Sequence, residues 1–285
     1  MQAKSWILLK VLINHFHAGD EDSLLEGMNQ EDQQMVLSQH LQSSDIAPAI
    51  ISQREKFSKI HYSWLAPRVS SLPIDKASLF LSIFPEPGAT KLKETLKNNV
   101  PSLNVTPSIQ NFLFNLVAPL LKMDDVKPIE YLPESSLTPL AKLKKSELVD
   151  LIDFLGIYDL ADEVKRIVDR NKLKQIYETL TPKKHDFLRE CMHLREKLVT
   201  PKLNLDIWDG NHEKLNKILY QRGIVRLGYA LSGQPPDFVW HIVHTLDSGR
   251  GSNLLKSCSK EQISGVTATV TLQVLNVIKF FKDKK

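Results

Sequence analysis

The chain has 285 residues, 42% hydrophobic and 25% charged, a balance that excludes a disordered polyelectrolyte and leaves room for two or three modest domains. Its net charge is only +4, and the basic residues alternate with acids, as in Lys142–Glu147 and Asp162–Arg166, without the concentrated basic face of a nucleic-acid binder. Glycine is too scarce for an all-β fold of tight turns. The two distant cysteines, Cys191 and Cys258, exclude a disulfide framework and fit a reducing compartment.

Apolar residues recur at helical spacing along most of the chain, and strand-like alternation is nearly absent. Residues 2–17 predict a first amphipathic helix. Its apolar run Trp6–Ile13 is interrupted by Lys10 and has no small-residue cleavage site before the acidic Asp20–Asp22, so a secretory leader is not expected. Asn29 is a cap candidate for a helix over Glu31–Leu41, and Asp45 opens a third bearing Ile46, Ile50 and Ile51. Short helices follow at about 60–71, 74–84, 88–98 and 107–122. The segment 127–139, with Pro128, Pro133, Pro139, Ser135 and Ser136, cannot sustain a helix and is the best boundary candidate. Helical patterning resumes from Lys142 to about Arg195, with Gly156 and Thr181–Pro182 read as breaks. After an irregular stretch over 199–211, a last helix at about Lys260–Lys282 aligns Ile263, Val266, Val270, Val274, Val277, Ile278 and Phe281. No run approaches the ~18–20 apolar residues of a membrane span. A soluble, cytoplasmic protein is expected.

Four stretches share one pattern, an apolar helix, a short polar turn and a second apolar helix: Leu24–Leu37, Trp64–Phe84, Leu173–Leu188 and Ile218–Val243. Each pair is too small to bury its own apolar face, so stacking into an all-α array is expected. Such an array offers binding surfaces without requiring a pocket.

Local chemistry is sparse. His241 and His244 have a spacing that can share a metal, but no acid or thiol lies near them, and packing histidines are the stronger reading. The Gly249–Asn253 turn lacks the preceding strand and the Lys-Ser/Thr pair of a phosphate loop. Asp206–Asn211 lacks the ligand spacing of a calcium loop and reads as a turn anchored by Trp208. Neither cysteine has a nearby His-plus-acid pair, and no Gly-x-Ser-x-Gly elbow occurs. No catalytic residue, cofactor or metal is expected.

The segment Ile60-His61-Tyr62-Ser63, followed in register by Leu65, Ala66, Ser70, Leu72, Ala77, Leu81, Ser82 and Pro85, resembles the middle armadillo-like unit of the flagellar motor-switch family FliG. Only His61 keeps that unit's Glu-His-Pro-Gln motif. Further along, Leu215–Gly233, Ser248–Lys256 and Ile263–Val266 resemble the family's C-terminal helices. Arg250 matches one position of its charged ridge, but Ser257, Cys258 and Gln262 stand where the ridge has its other charges. Leu198–Pro201 stands at the hinge motif.

The resemblance implies an elongated multi-domain array of armadillo-like units. These divide as a short N-terminal helical domain (1–57), a middle domain (58–126), a linker (127–140), a C-terminal armadillo-like subdomain (141–200) and a C-terminal bundle (201–285). It implies a non-catalytic adaptor of a type III secretion or flagellar basal body that links an inner-membrane ring to cytoplasmic ring or sorting components, peripheral to the membrane through protein partners. Ile60, His61, Tyr62, Ser63, Arg250 and Lys256 are its implied contact residues, with no nucleic acid or small-molecule substrate. The lost ridge charges imply a protein that generates no torque, since Gly249 and Gly251 flank Arg250 and loosen the helix start that would hold it. The alternatives from the residues alone are a helical-repeat regulatory module, similar to the cytoplasmic domain of magnesium transporters, or an enzyme without a legible motif.

Overall fold

The computed structural model describes residues 3–16, 25–38, 57–96, 101, 103, 105–121, 132–193, 203, 205 and 208–284. Among these the chain is all-helical. Its helices are α1 (Ala3–Phe16), α2 (Gln30–Leu37), α3 (Tyr62–Ser70), α4 (Ile74–Ile83), α5 (Gly88–Leu96) and α6 (Pro107–Val117, continued by a 3-10 turn over Ala118–Leu121). They continue with α7 (Thr138–Ala141), α8 (Lys145–Val164), α9 (Arg170–Thr179), α10 (Pro182–His193), α11 (His212–Leu231), α12 (Pro236–Thr245), α13 (Ser248–Ser257) and α14 (Thr267–Asp283). No helix of the described residues is long and apolar enough to cross a membrane.

Side-chain caps set several of these boundaries. The Asn29 carboxamide accepts the Asp32 N–H at 2.8 Å and starts α2, and Asp169 accepts the Asn171 N–H at 2.8 Å and starts α9. The final helix begins at Thr267, later than the apolar stripe suggests, after a turn in which Gly265 takes a left-handed φ of 70°. The helix expected from Asp45 lies outside the described residues.

The chain forms two compact units, one of Met1–Ser58 with Val69–Leu132 and one of Lys59–Arg68 with Pro133–Lys285. Lys59–Arg68, grouped with the middle domain by sequence, thus belongs to the second unit. That unit also contains both the 141–200 and 201–285 segments.

In the first unit, Trp6, Ile13, Leu25 and Val36 make one apolar cluster around α1 and α2. Phe57, Phe80, Phe84 and Phe114 make another, with ring centroids 5.1–6.4 Å apart. Ile109, Phe112 and Leu116 on α6 are exposed.

The second unit is organised by α8 and α11. Gly156 is not a break: it sits within α8, where an added Cβ would stand 2.1 Å from the Leu219 carbonyl oxygen. Reciprocally, a Cβ at Gly223 on α11 would stand 1.7 Å from the Ile152 carbonyl oxygen. Helix propensity places a cost on each glycine, but only a hydrogen lets the two backbones come this close.

A buried ion pair lies in the same helices. Arg226 Nη2 donates to Asp159 Oδ1 and Nη1 to Gln273 Oε1 of α14, each at 2.5 Å. Arg226 and Asp159 are 3% and 4% exposed, so neither charge can turn to water if its partner is removed. Phe154, Tyr158, Phe187 and Phe280 close the core beside this pair, and the α14 stripe serves mainly as core, with Leu272 exposed.

Gly223→Ala should therefore lower unfolding stability by about 1–3 kcal/mol or more, because the clash is with backbone and cannot be relieved by a rotamer. Asp159→Ala should cost about 3–5 kcal/mol by stranding the guanidinium. Urea unfolding followed by circular dichroism checks both; a Gly223→Ala midpoint equal to that of the parent protein would contradict the close crossing.

Candidate protein-interaction site

The two stretches that carry the family resemblance meet in the second unit. Ile60 is buried at 5% exposure and anchors the turn before α3, so it supports this surface from within. The His61 N–H donates to the His244 carbonyl at 2.8 Å, at the end of α12. The Trp64 indole N–H donates to the Leu246 carbonyl at 2.9 Å. The Ser63 hydroxyl accepts the Ser248 N–H at 2.8 Å, satisfying one of the donors that the first turn of α13 leaves open.

Asp247 is the N-cap of α13. Its Oδ1 accepts the Arg250 N–H at 3.1 Å, its Oδ2 accepts Arg250 Nη1 at 2.7 Å, and Lys145 Nζ stands 3.9 Å away. Burial pushes the Asp247 carboxyl up, but the hydrogen bonds and charge of Arg250, with Lys145, outweigh it and hold the group below its ordinary value. The Arg250 guanidinium also lies 5.4 Å over the Tyr220 ring.

Arg250 is therefore not an isolated cation on a loosened turn. Gly251 is a packing residue, since a Cβ there would stand 2.6 Å from the Val243 carbonyl oxygen and 2.7 Å from Trp64 Cζ2. Ser257, which stands where a ridge acid would fall, fits against α11, and a Cβ at Gly228 would come 2.4 Å from its own Cβ. Lys256 is exposed in the last turn of α13, about 9 Å along the axis from Arg250.

Aromatic stacking completes the cluster. The His244 imidazole lies between the Trp240 ring, 3.9 Å away and nearly parallel, and the Trp64 ring at 4.4 Å. Its Nδ1 is 2.8 Å from the Trp240 carbonyl and so carries the donated proton. His241, the other member of the candidate metal pair, is buried, with Nε2 3.4 Å from the Ala141 carbonyl. Tyr62 stacks on His61 at 4.2 Å and remains half-buried, as do Trp64 and Trp240.

His61 and Ser63 invite comparison with a base and a nucleophile, because Nδ1 is 2.8 Å from the hydroxyl. The group on the far side of the ring is Lys145, whose Nζ is 2.6 Å from Nε2. A serine triad needs a carboxylate there to stabilise the imidazolium, and an ammonium opposes it. The thiols are equally unsuited to attack: burial pushes Cys191 up to about 12 and Cys258 up to about 11. Trp208, expected to anchor a turn, is buried and donates its indole N–H to the Asn211 carbonyl at 2.9 Å.

What the arrangement offers is a rigid surface of tryptophan, tyrosine and paired cations, a composition enriched at the energetic centres of protein interfaces. Sequence reasoning missed Trp64, Lys145, Tyr220, Trp240 and Asp247. An Asp before a Ser–Gly helix start is a legible cap signal, and Trp240 and His244 are one helical turn apart. The convergence of Lys145 with His61, 84 residues apart, had no local signature.

Asp247→Ala should destabilise the protein by about 1 kcal/mol at neutral pH, the usual scale for an N-cap. Because the folded Asp247 titrates below its unfolded value of about 3.9, the contribution is complete above that pH and lost as pH falls through the folded value. Urea melts of parent and variant should differ at pH 7 and draw together as the pH is lowered below about 3.9, meeting only below the folded value.

No family model, no curated protein and no solved structure matches this chain, so its own residues carry the functional reading.

Proposed function

We propose that this protein is a non-catalytic, FliG-like structural adaptor of a type III secretion or flagellar basal body. In this reading its helix pairs are armadillo-like units, and it links an inner-membrane ring to cytoplasmic ring or sorting components. It acts from the cytoplasmic side, peripheral to the membrane through those partners. It takes no cofactor and no small-molecule substrate.

The observation that carries the reading is the junction of the two resemblance-bearing stretches. The His61–Trp64 turn and the Asp247–Arg250 helix start are hydrogen-bonded together, while Tyr62 and Arg250 keep part of their surface accessible. A rigid aromatic and cationic patch suits recognition of a protein surface, since its side chains lose little freedom on binding.

Arg250 also supports the non-rotary form of the adaptor. Its charge is paired with Asp247 within the same helix start, at 2.7 Å, while the side chain stays 42% exposed. Attraction to a distant charged partner would be weakened by that neighbour and by salt.

The test is co-isolation of tagged full-length protein from its native host. Basal-body ring or sorting components should accompany the parent protein, and Tyr62→Asp should weaken that recovery by about tenfold or more, the loss of one hot-spot residue. Its thermal midpoint should stay within about a degree or two, because Tyr62 is half-buried. Arg250→Ala should leave assembly intact and produce no rotation defect. Parent protein that recovers no ring or sorting component would overturn the reading.

A further inference from the structure

We propose that His61 is an acid-sensitive latch: as a neutral imidazole it pins the Lys59–Arg68 segment to the starts of α8 and α13, and a second ring proton releases that segment. The inference rests on the cluster's geometry and stands apart from the secretion reading.

The hydrogen bonds require a neutral ring. Lys145 Nζ is 2.6 Å from His61 Nε2, and an ammonium has donors only, so Nε2 accepts. Nδ1 then carries the proton and donates to the Ser63 hydroxyl at 2.8 Å, whose oxygen also accepts the Ser248 N–H. In the other tautomer Nδ1 would accept from Ser63, whose N–H is 3.3 Å away, and Nε2–H would point at the ammonium. Adding a proton to either form sets two donor-only cations against each other at 2.6 Å.

The surroundings oppose that proton as well. His61 immediately precedes α3, Lys145 at the first residue of α8 reaches it through Nζ, and Ser248 at the first residue of α13 reaches its partner Ser63. The charged and titratable groups nearest along the adjoining elements are Lys59 and Arg68 on its own segment, Lys144, Lys145 and Glu147 at the start of α8, His241 and His244 on α12, and Asp247 and Arg250 at the start of α13; further along, α8 carries Asp150, Asp153, Asp159, Asp162 and Glu163, and α12 begins with Asp237. Of the carboxylates at these helix starts, Glu147 accepts the Lys144 N–H at 3.0 Å, and Asp247 accepts from Arg250 at 2.7 Å and stands 3.9 Å from Lys145 Nζ. The Lys145 ammonium at 2.6 Å therefore opposes a second proton on the ring.

Because that ammonium disfavours the doubly protonated ring, the latch is closed at neutral pH and opens on acidification. Opening removes the Lys145 bond first. Ring rotation away from the ammonium then withdraws Nδ1 from Ser63, the residue that ties the segment to α13.

The test uses the full chain. Proton NMR titration of the histidine Cε1–H signals, with His61 assigned by its loss in His61→Asn, should give a midpoint below the ordinary imidazole value of about 6.5. Lys145→Met should return it toward about 6.5, whereas Lys145→Arg, which keeps the cation, should leave it low. Amide exchange across residues 59–68, corrected for intrinsic rates, should accelerate about tenfold or more on the far side of that midpoint, while α8 and α11 stay protected. In His61→Asn the exchange should not respond to pH across this range. A midpoint at or above 6.5, a midpoint unmoved by Lys145→Met, or the same acid response in His61→Asn would each overturn the proposal.

Discussion

Where α8 and α11 cross, Gly156 and Gly223 each lie against a carbonyl of the opposite helix, and this contact fixes the geometry of the second unit. Two backbones at that separation have no room for a sliding register, because any displacement brings a side chain where only a hydrogen fits. The Asp159–Arg226 pair and its Gln273 contact then select one rotation of α8, α11 and α14 about that crossing. A buried pair of this kind adds little net stability, and its value lies in the arrangements it excludes. Held by this frame, α8 presents Lys145 at its first turn, and α11 presents Tyr220 beneath Arg250.

The surface cluster is built from helix beginnings. The starts of α3, α8 and α13 meet there, and each leaves backbone N–H groups to be satisfied. Asp247 and Ser63 answer those of α13, and Glu147 accepts the N–H that precedes α8. The chemistry there is structural: a carboxylate engaged by a helix cap and an arginine, and an imidazole facing an ammonium.

Helical periodicity made most of the fold legible, since apolar residues at three- and four-residue spacing leave little choice of secondary structure. Asn29 marked the start of α2 and the Thr181–Pro182 pair separated α9 from α10, both through local backbone chemistry. Gly156 misled because a glycine in a helix has two readings, a break or a close approach, and only its partner Gly223, 67 positions away, distinguishes them. Gly251 misled for the same reason, its partners being Trp64 and Val243. Of the candidate site, His61, Tyr62, Ser63 and Arg250 were visible as residues, but their meeting was not. Ser63 and Ser248 are 185 positions apart, and no sequence spacing encodes a hydrogen bond at that range.

The account stands most directly on the claim that the His61–Trp64 turn and the start of α13 form one cooperative cluster. A double-mutant cycle between Ser63→Ala and Asp247→Ala, read in unfolding free energy at neutral pH, measures that coupling. Ser63 and Asp247 satisfy neighbouring donors of the same helix start, so the two changes should interact by about 0.5 kcal/mol or more. Effects that add to within about 0.3 kcal/mol would mean that the turn and the helix start are independent, and would contradict the account.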